Sequence, residues 1–329
     1  MIGMWLLGPC FADPPEGGPP LPTRPSQRPS SERPDRAPST GPVAPPETPV
    51  APPRATQWSE VRSLPQRLSE ISGLVWTEDH PDRVYGHNDS GDKPTFYAIG
   101  LDGRILDQIF FRGAKHADWE DAFLTHFNGQ TQIWAADIGD NLARRSEVVL
   151  YAADLVRPTV AAIGGSPQIH SVQPHVAIRL RYPDGPRDCE AIAFDHRNRR
   201  VVMVTKTALP WCRIYVASLD SDDLRTRAER NPIPSIRKEL RHVGNLAMPM
   251  VTALDIHPKD GRWLVVNYFH SLIFTPDPTG AVEVWKQFPV ALKLPAIGQI
   301  EAACWSQHDR ITVAGEGSPP RWAQSDPIR

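Results

Sequence analysis

The chain has 329 residues, 36 of them proline, and 36 Lys+Arg against 38 Asp+Glu leave a formal charge of −2. Sixteen prolines fall in the first 56 residues, which excludes a uniformly disordered chain and points to one Pro-rich arm and one folded body. With no basic surplus, nucleic acid is not an expected partner, and no apolar run approaches the ~20 residues of a membrane span.

In chain order, residues 1–10 are apolar but lack a positive flank, and they read as a truncated export signal. The protein is therefore expected to be exported: periplasmic, associated with the cell wall, or extracellular. Residues 11–56 hold few aromatic or β-branched side chains. Such a segment cannot bury enough apolar area to offset its ordering entropy, so a disordered Pro-rich linker is expected. The cysteines, Cys10, Cys189, Cys212 and Cys304, fit no zinc spacing and read as buried free thiols.

From residue 57 short apolar runs alternate with Asp, Gly and Asn, and one segment shape occurs five times, at 72–76, 120–124, 190–194, 252–256 and 301–305. Each opens on an oxygen-bearing side chain: Ser72, Glu120, Glu190, Thr252 or Glu301. Each then runs small and apolar, meets a polar turn and returns as a second apolar strand. The return ends in a polar knot 15–17 positions after the opening: Asn88-Asp89, Asp137, Lys206, Asn267-Tyr268 and Glu316. A strand of about six residues, a turn of about four and a returning strand give that length, so openings and knots share one rim.

Further strands are expected at 95–99 and 104–111, 148–153 and 175–181, 213–218 and 236–242, and 271–275 and 281–287. Residues 59–64 are left to complete the fifth unit. The fold class is all-β: a β-propeller over 57–329 with five blades, six being the alternative, and a ring closed by the N-terminal strand.

In a propeller the opening residues point at one axis. Carboxylates ~5 Å apart at an effective dielectric of ~20 repel by about 3 kcal/mol per pair, so protonation or a cation must compensate. Five hard oxygen donors suit Ca²⁺, and no His or Cys shares their register to recruit zinc. The competing reading is that these side chains only bond neighbouring backbone.

The rim with the knots is polar: His87, Asn88, Asp89, Asp118, Asp121, Asp137, Asp140, Asn141, Lys206, His270 and Glu316 are expected near it. As catalytic candidates, His87 or Asp89 would be a general base, and Lys206, Arg144 or Arg145 would neutralise phosphate charge. Asp137, Asp140 and Glu316 would help hold a second metal or a water. Asp89 and 137–141 read equally well as turn caps, and Lys206 as a partner of the ring carboxylates. No phosphate-cradling Gly loop, HExxH or dinucleotide fingerprint is present.

The order Ser72, Glu120, Glu190, Thr252, Glu301 resembles the five-bladed calcium-activated nucleotidases (apyrases), which hold a central Ca²⁺ in an equivalent Ser/Glu ring. Where those enzymes carry an Asp-Asp-Arg phosphate-binding segment, this chain has His87-Asn88-Asp89-Ser90-Gly91. That motif, with Asp118-Trp119-Glu120-Asp121, Asp137-Ile138-Gly139-Asp140-Asn141 and Gly315-Glu316-Gly317, also resembles a group of uncharacterised exported bacterial propellers. That group is distantly similar to esterase-like phytase propellers. The second resemblance implies fold and export; the first implies calcium and hydrolysis of a phosphoester or nucleotide, with a small phosphorylated molecule as partner. The alternative is a monomeric, non-catalytic module with structural calcium that recognises an exported ligand: a peptide, a glycan or a partner protein.

Overall fold

The computed structural model describes residues 56–156, 167–225, 227 and 230–328. The export-like segment and all of the arm except Thr56 lie outside them. The described strands form five sheets, and no α-helix occurs among the described residues.

Each sheet is one blade. The first contains Ile71–Val75, Arg83–Asn88, Thr95–Gly100 and Ile105–Phe111 from the axis outward, and the second Trp119–Phe127, Gln130–Asp137, Val148–Asp154 and Val176–Arg181. The third is Cys189–Asp195, Arg200–Thr205, Cys212–Ser218 and Arg241–Leu246; the fourth is Val251–Ile256, Trp263–Asn267, His270–Phe274 and Val290–Lys293. The fifth has Ile300–Ser306, Arg310–Gly315 and Arg321–Gln324, and its outer strand is Arg62–Ser63 from the start of the body. Arg62 pairs with Trp322 and Ser63 with Arg321, and Trp58 bridges to Ser325. The ring is thus a five-bladed propeller closed by the N-terminal strand.

Turn chemistry explains the hairpins. Asn128 and Gly129 both take left-handed backbone, φ 50° and 76°, as the two-residue turn between the first strands of the second blade requires. Packing explains the ring. The apolar clusters lie between neighbouring blades: Tyr85, Phe96, Phe111 and Trp119 join the first to the second, and Phe123, Trp134, Phe194 and Tyr215 the second to the third. Trp119, Trp134 and Trp263 are wholly enclosed. At ~25 cal/mol per Å² over roughly 200 Å², each such side chain contributes on the order of 5 kcal/mol relative to exposure. Cys189, Cys212 and Cys304 are buried free thiols, as their spacing predicts.

Two outer strands differ from expectation. The fourth strand of the third blade is Arg241–Leu246, while Ser235–Glu239 pairs in parallel with the outer edge of the second blade. Its alternation of exposed and half-buried residues suits an edge rather than a blade interior. Gln168–Val172 does the same on the first blade, so each of two long loops reaches back to cap the preceding blade. In the fourth blade, 281–287 is not a strand. The Asp277 carboxylate gathers the N–H groups of Thr279, Ala281 and Val282 into a loop, and the outer strand is Val290–Lys293.

One buried side chain joins three of the inner strands at the waist of the ring. Asp121, expected at the polar rim, is instead 1% exposed and accepts the N–H groups of Ala122 at 2.8 Å, Ile192 at 3.0 Å and Leu254 at 3.3 Å. One carboxyl group therefore ties the second, third and fourth blades, between the rim at the strand starts and the mouth at the strand ends.

Candidate functional site

The openings and knots do share one rim. Ile71 pairs with Asn88, Trp119 with Asp137, Cys189 with Thr205, Val251 with Asn267 and Ile300 with Gly315. Immediately after each of these pairs the register shifts, so Ser72, Glu120, Glu190, Thr252 and Glu301 all sit in β-bulges. A bulge leaves one residue out of the ladder and re-aims its side chain. All five are buried.

Their partners fall into three kinds. The hydroxyls of Ser72 and Thr252 donate to the carbonyls of Glu120 and Ile300, each on the neighbouring blade, which stitches inner strands together. Glu190 is ion-paired with Lys206, whose ammonium lies 5.2 Å from the centre of the Tyr268 ring. The Tyr268 hydroxyl in turn donates to Glu301 at 2.8 Å. Glu120 faces other acids. Asp89, Asp118 and Glu120 bring carboxylate oxygens within 4.8 Å of one another, joining the end of the first blade's hairpin to the entry of the second blade. Glu120, Glu190 and Glu301 do not form such a group among the described residues.

Backbone shape supports the cluster. A side chain at Gly139 would collide with Glu120 Oε1 and Asp118 Oδ2, so the loop can press against both carboxyls only as glycine. Arg145 holds that loop, donating to the carbonyls of Gly139 at 2.8 Å and Asp137 at 3.0 Å and pairing with the Asp137 carboxylate at 2.7 Å.

The electrostatics are those of crowded acids. Burial, then Glu190, Asp89 and Asp118, hold the Glu120 carboxyl far above its ordinary value. Burial and Asp89 raise Asp118 as well. Burial raises Glu190 despite Lys206 beside it, and burial with Glu301 pushes Glu316 up to about 7. Burial works against the Lys206 charge, yet Glu190 keeps its affinity for a proton above the usual value.

The other sequence candidates separate. His87, expected at the rim as a base, is fully enclosed; its ring lies edge-on to Phe96 and Trp119, and its Nδ1 is 2.9 Å from the Asn88 carbonyl. Burial pushes it down to about 4. Asp137 accepts the N–H groups of Ala117 and Asp118 besides its ion pair, and Asp140 accepts the Arg145 N–H at 2.7 Å, so both cap the loop. Lys206 belongs to Glu190. Glu316 and Asp89 stay at the rim, half-buried. Sequence reasoning passed over Asp188, which accepts the Asp140 N–H at 3.0 Å and is raised by burial. The signal was present: Asp118 and Asp188 each stand two places before a ring glutamate.

No protein-family model matches the chain, and no curated protein matches it. Among solved structures it is similar to the PQQ-bound form of aldose sugar dehydrogenase from Streptomyces coelicolor, at 11% identity and a TM-score of 0.41 over 84% of this chain and 99% of that one. It is also similar to a chain of the COPII outer coat vertex on membranes, at 10% identity and a TM-score of 0.34 over 61% of this chain and 46% of that one. Likenesses at this level say nothing about what the protein binds, and the propeller rests on its own strand order.

Proposed function

We propose that the protein is an exported, calcium-binding propeller whose bulged rim acts as a binding module for a glycan. The observation that carries this reading is the Asp89, Asp118 and Glu120 cluster. Its oxygens are spaced as ligands of one hard cation at 2.3–2.6 Å would be, with Glu120 buried and Asp89 and Asp118 half-exposed. The donor set fits the ion: all oxygens, no thiol or imidazole.

Charge selects the ligand class. Three carboxylates around a divalent ion leave net negative charge, and Lys206 is spent on Glu190. A phosphate would meet repulsion, whereas neutral hydroxyls can enter the positions that face solvent. Sites of this kind in exported modules work at roughly 10⁻⁴–10⁻³ M calcium, which suits an exported location.

A second reading, calcium-dependent phosphoester or nucleotide hydrolysis as in the apyrases, is favoured by the same half-open cluster, because an ion there would keep room for a water beside a substrate oxygen. Calorimetry with calcium and magnesium tests the cation, and a glycan panel together with nucleotides and p-nitrophenyl phosphate, with and without chelator, separates the readings. Calcium-dependent sugar binding without phosphate release is expected, and Asp118→Asn should abolish it. Absence of calcium binding at millimolar concentration would refute both readings, and calcium-dependent turnover would select the second.

A further inference from the structure

The inner strands end at a second mouth, on the far side of Asp121 from the acidic rim. A cavity of about 520 Å³ opens there, lined by the last residues of all five inner strands and the turns that follow. That volume is in the range of small-molecule sites, ~300–1,000 Å³. Trp76, Phe123, Phe194 and Trp305 supply aromatic walls from four of the five blades.

The charged side chains lining it are unbalanced. Glu78, Asp79, Asp255 and Asp309 face a single lysine, Lys259, and that lysine is ion-paired with Glu78. The nearby Arg262 lies 4.6 Å from the centre of the Trp305 ring and pairs with Asp260 at 2.8 Å and Asp309 at 3.1 Å. Of the lining histidines, His126 lies 3.9 Å from Asp79, and none lies beside Asp255 as an ion-pair partner among the described residues. Burial holds His196 down to about 4 and lowers His257, which is itself fixed between Asp260 and Asp309.

Asp255 stands apart. Its carboxylate accepts the backbone N–H of Trp305 at 2.7 Å and has no ion-pair partner among the described residues. Burial pushes it up to about 7, as expected of a carboxylate with no cation beside it. A half-buried acid within aromatic walls discriminates by sign: ring faces are electron-rich, and both they and the carboxylate attract a cation and repel an anion.

We propose that this mouth binds an organic cation with an apolar body, a quaternary or protonated amine, its charge beside Asp255 and its body against Trp76, Phe123 and Phe194. The site is independent of calcium at the opposite rim.

Titrating the full chain with benzyltrimethylammonium chloride, followed by calorimetry and tryptophan fluorescence, tests this. Benzyl alcohol and benzenesulfonate serve as neutral and anionic comparators at equal ionic strength. Saturable binding of the ammonium is expected, preferred about tenfold or more over both comparators and unchanged by chelator. Asp255→Asn should weaken it about tenfold, and Trp76→Ala, at a half-exposed position, severalfold. No saturation by about 10 mM, or equal affinity for benzenesulfonate, would overturn the proposal. So would parental affinity in both variants. Should Asp255→Asn not fold, the comparators and Trp76→Ala still decide.

Discussion

The same five strands build two unlike mouths. At their starts every strand is bulged, and the freed residues are acids and hydroxyls tied into ion pairs, backbone stitches and a carboxylate cluster. At their ends the ladders of the second to fifth blades run regularly into the turns, and what faces the cavity is a mix of aromatic and mostly acidic side chains. The difference teaches that a propeller's chemistry follows local backbone irregularity. Where the ladder is broken, polar groups can be aimed at the axis; where it is intact, the alternation of the strand simply carries core residues out to solvent.

The waist between the mouths is the place to break this comparison most severely. Asp121→Ala would leave three buried N–H groups from three blades without an acceptor, at about 1–3 kcal/mol each. A loss of about 4 kcal/mol, or roughly 10 °C in Tm, is expected by calorimetry. Asp121→Asn keeps an acceptor oxygen and should lose less than half of that. A wild-type midpoint in the alanine variant would show that the waist does not hold the blades together.

Next in size is the ion pair at the rim. Lys206→Met leaves Glu190 buried without its partner, which costs about 3 kcal/mol for a buried pair broken on one side. Urea melts should show this loss, and calcium should recover part of it by supplying the missing positive charge. Recovery equal in parent and variant would mean that the Glu190–Lys206 pair and the cation cluster are electrostatically separate.

Much of this architecture was legible in the sequence, and the reason is physical. The bulge residue bears a side-chain oxygen in every blade, so five segments share an opening, and the hairpin length fixes the knots opposite them. The closing strand was legible because residues 59–64 were left over once the hairpins had been assigned. Other features were hidden. His87 sits among Asn88, Asp89 and Ser90 in a polar-looking motif, yet strand alternation turns its ring between Phe96 and Trp119. The outer strands of the third and fourth blades were misplaced because edge strands are half-exposed and weakly patterned, so Ser235–Glu239 and Arg241–Leu246 look alike. Phe123, Phe194 and Trp305 read as core, and only the geometry shows them lining a cavity as well.

Calcium should sharpen the comparison by acting on one mouth alone. An ion bound only by the folded state at about a hundred times its Kd adds ~2.7 kcal/mol, several degrees in Tm. Asp118→Asn should abolish that gain while making the calcium-free protein slightly more stable, because it removes one of three crowded acids. Binding of benzyltrimethylammonium at the far mouth should be unaffected. A midpoint insensitive to calcium would remove the metal from the rim.

The opposite mouth is isolated by pH. The Asp255 carboxyl rises from 3.8 to about 7 on folding, so the native state binds its proton more tightly than the unfolded chain does. Its contribution to stability is therefore complete below about pH 4, declines as pH rises and is gone above about 7, with a slope of at most ~1.4 kcal/mol per pH unit. The rim acids slope the same way, so the measurement is the difference between parent and Asp255→Asn in urea melts across this window. The parent should lose more stability than the variant between pH 4 and 7, and the two should run parallel above it. An organic cation beside Asp255 stabilises its ionised form, so saturating benzyltrimethylammonium should flatten the parent's slope toward that of the variant. If the slope persists with ligand bound, the cation does not sit at that carboxylate.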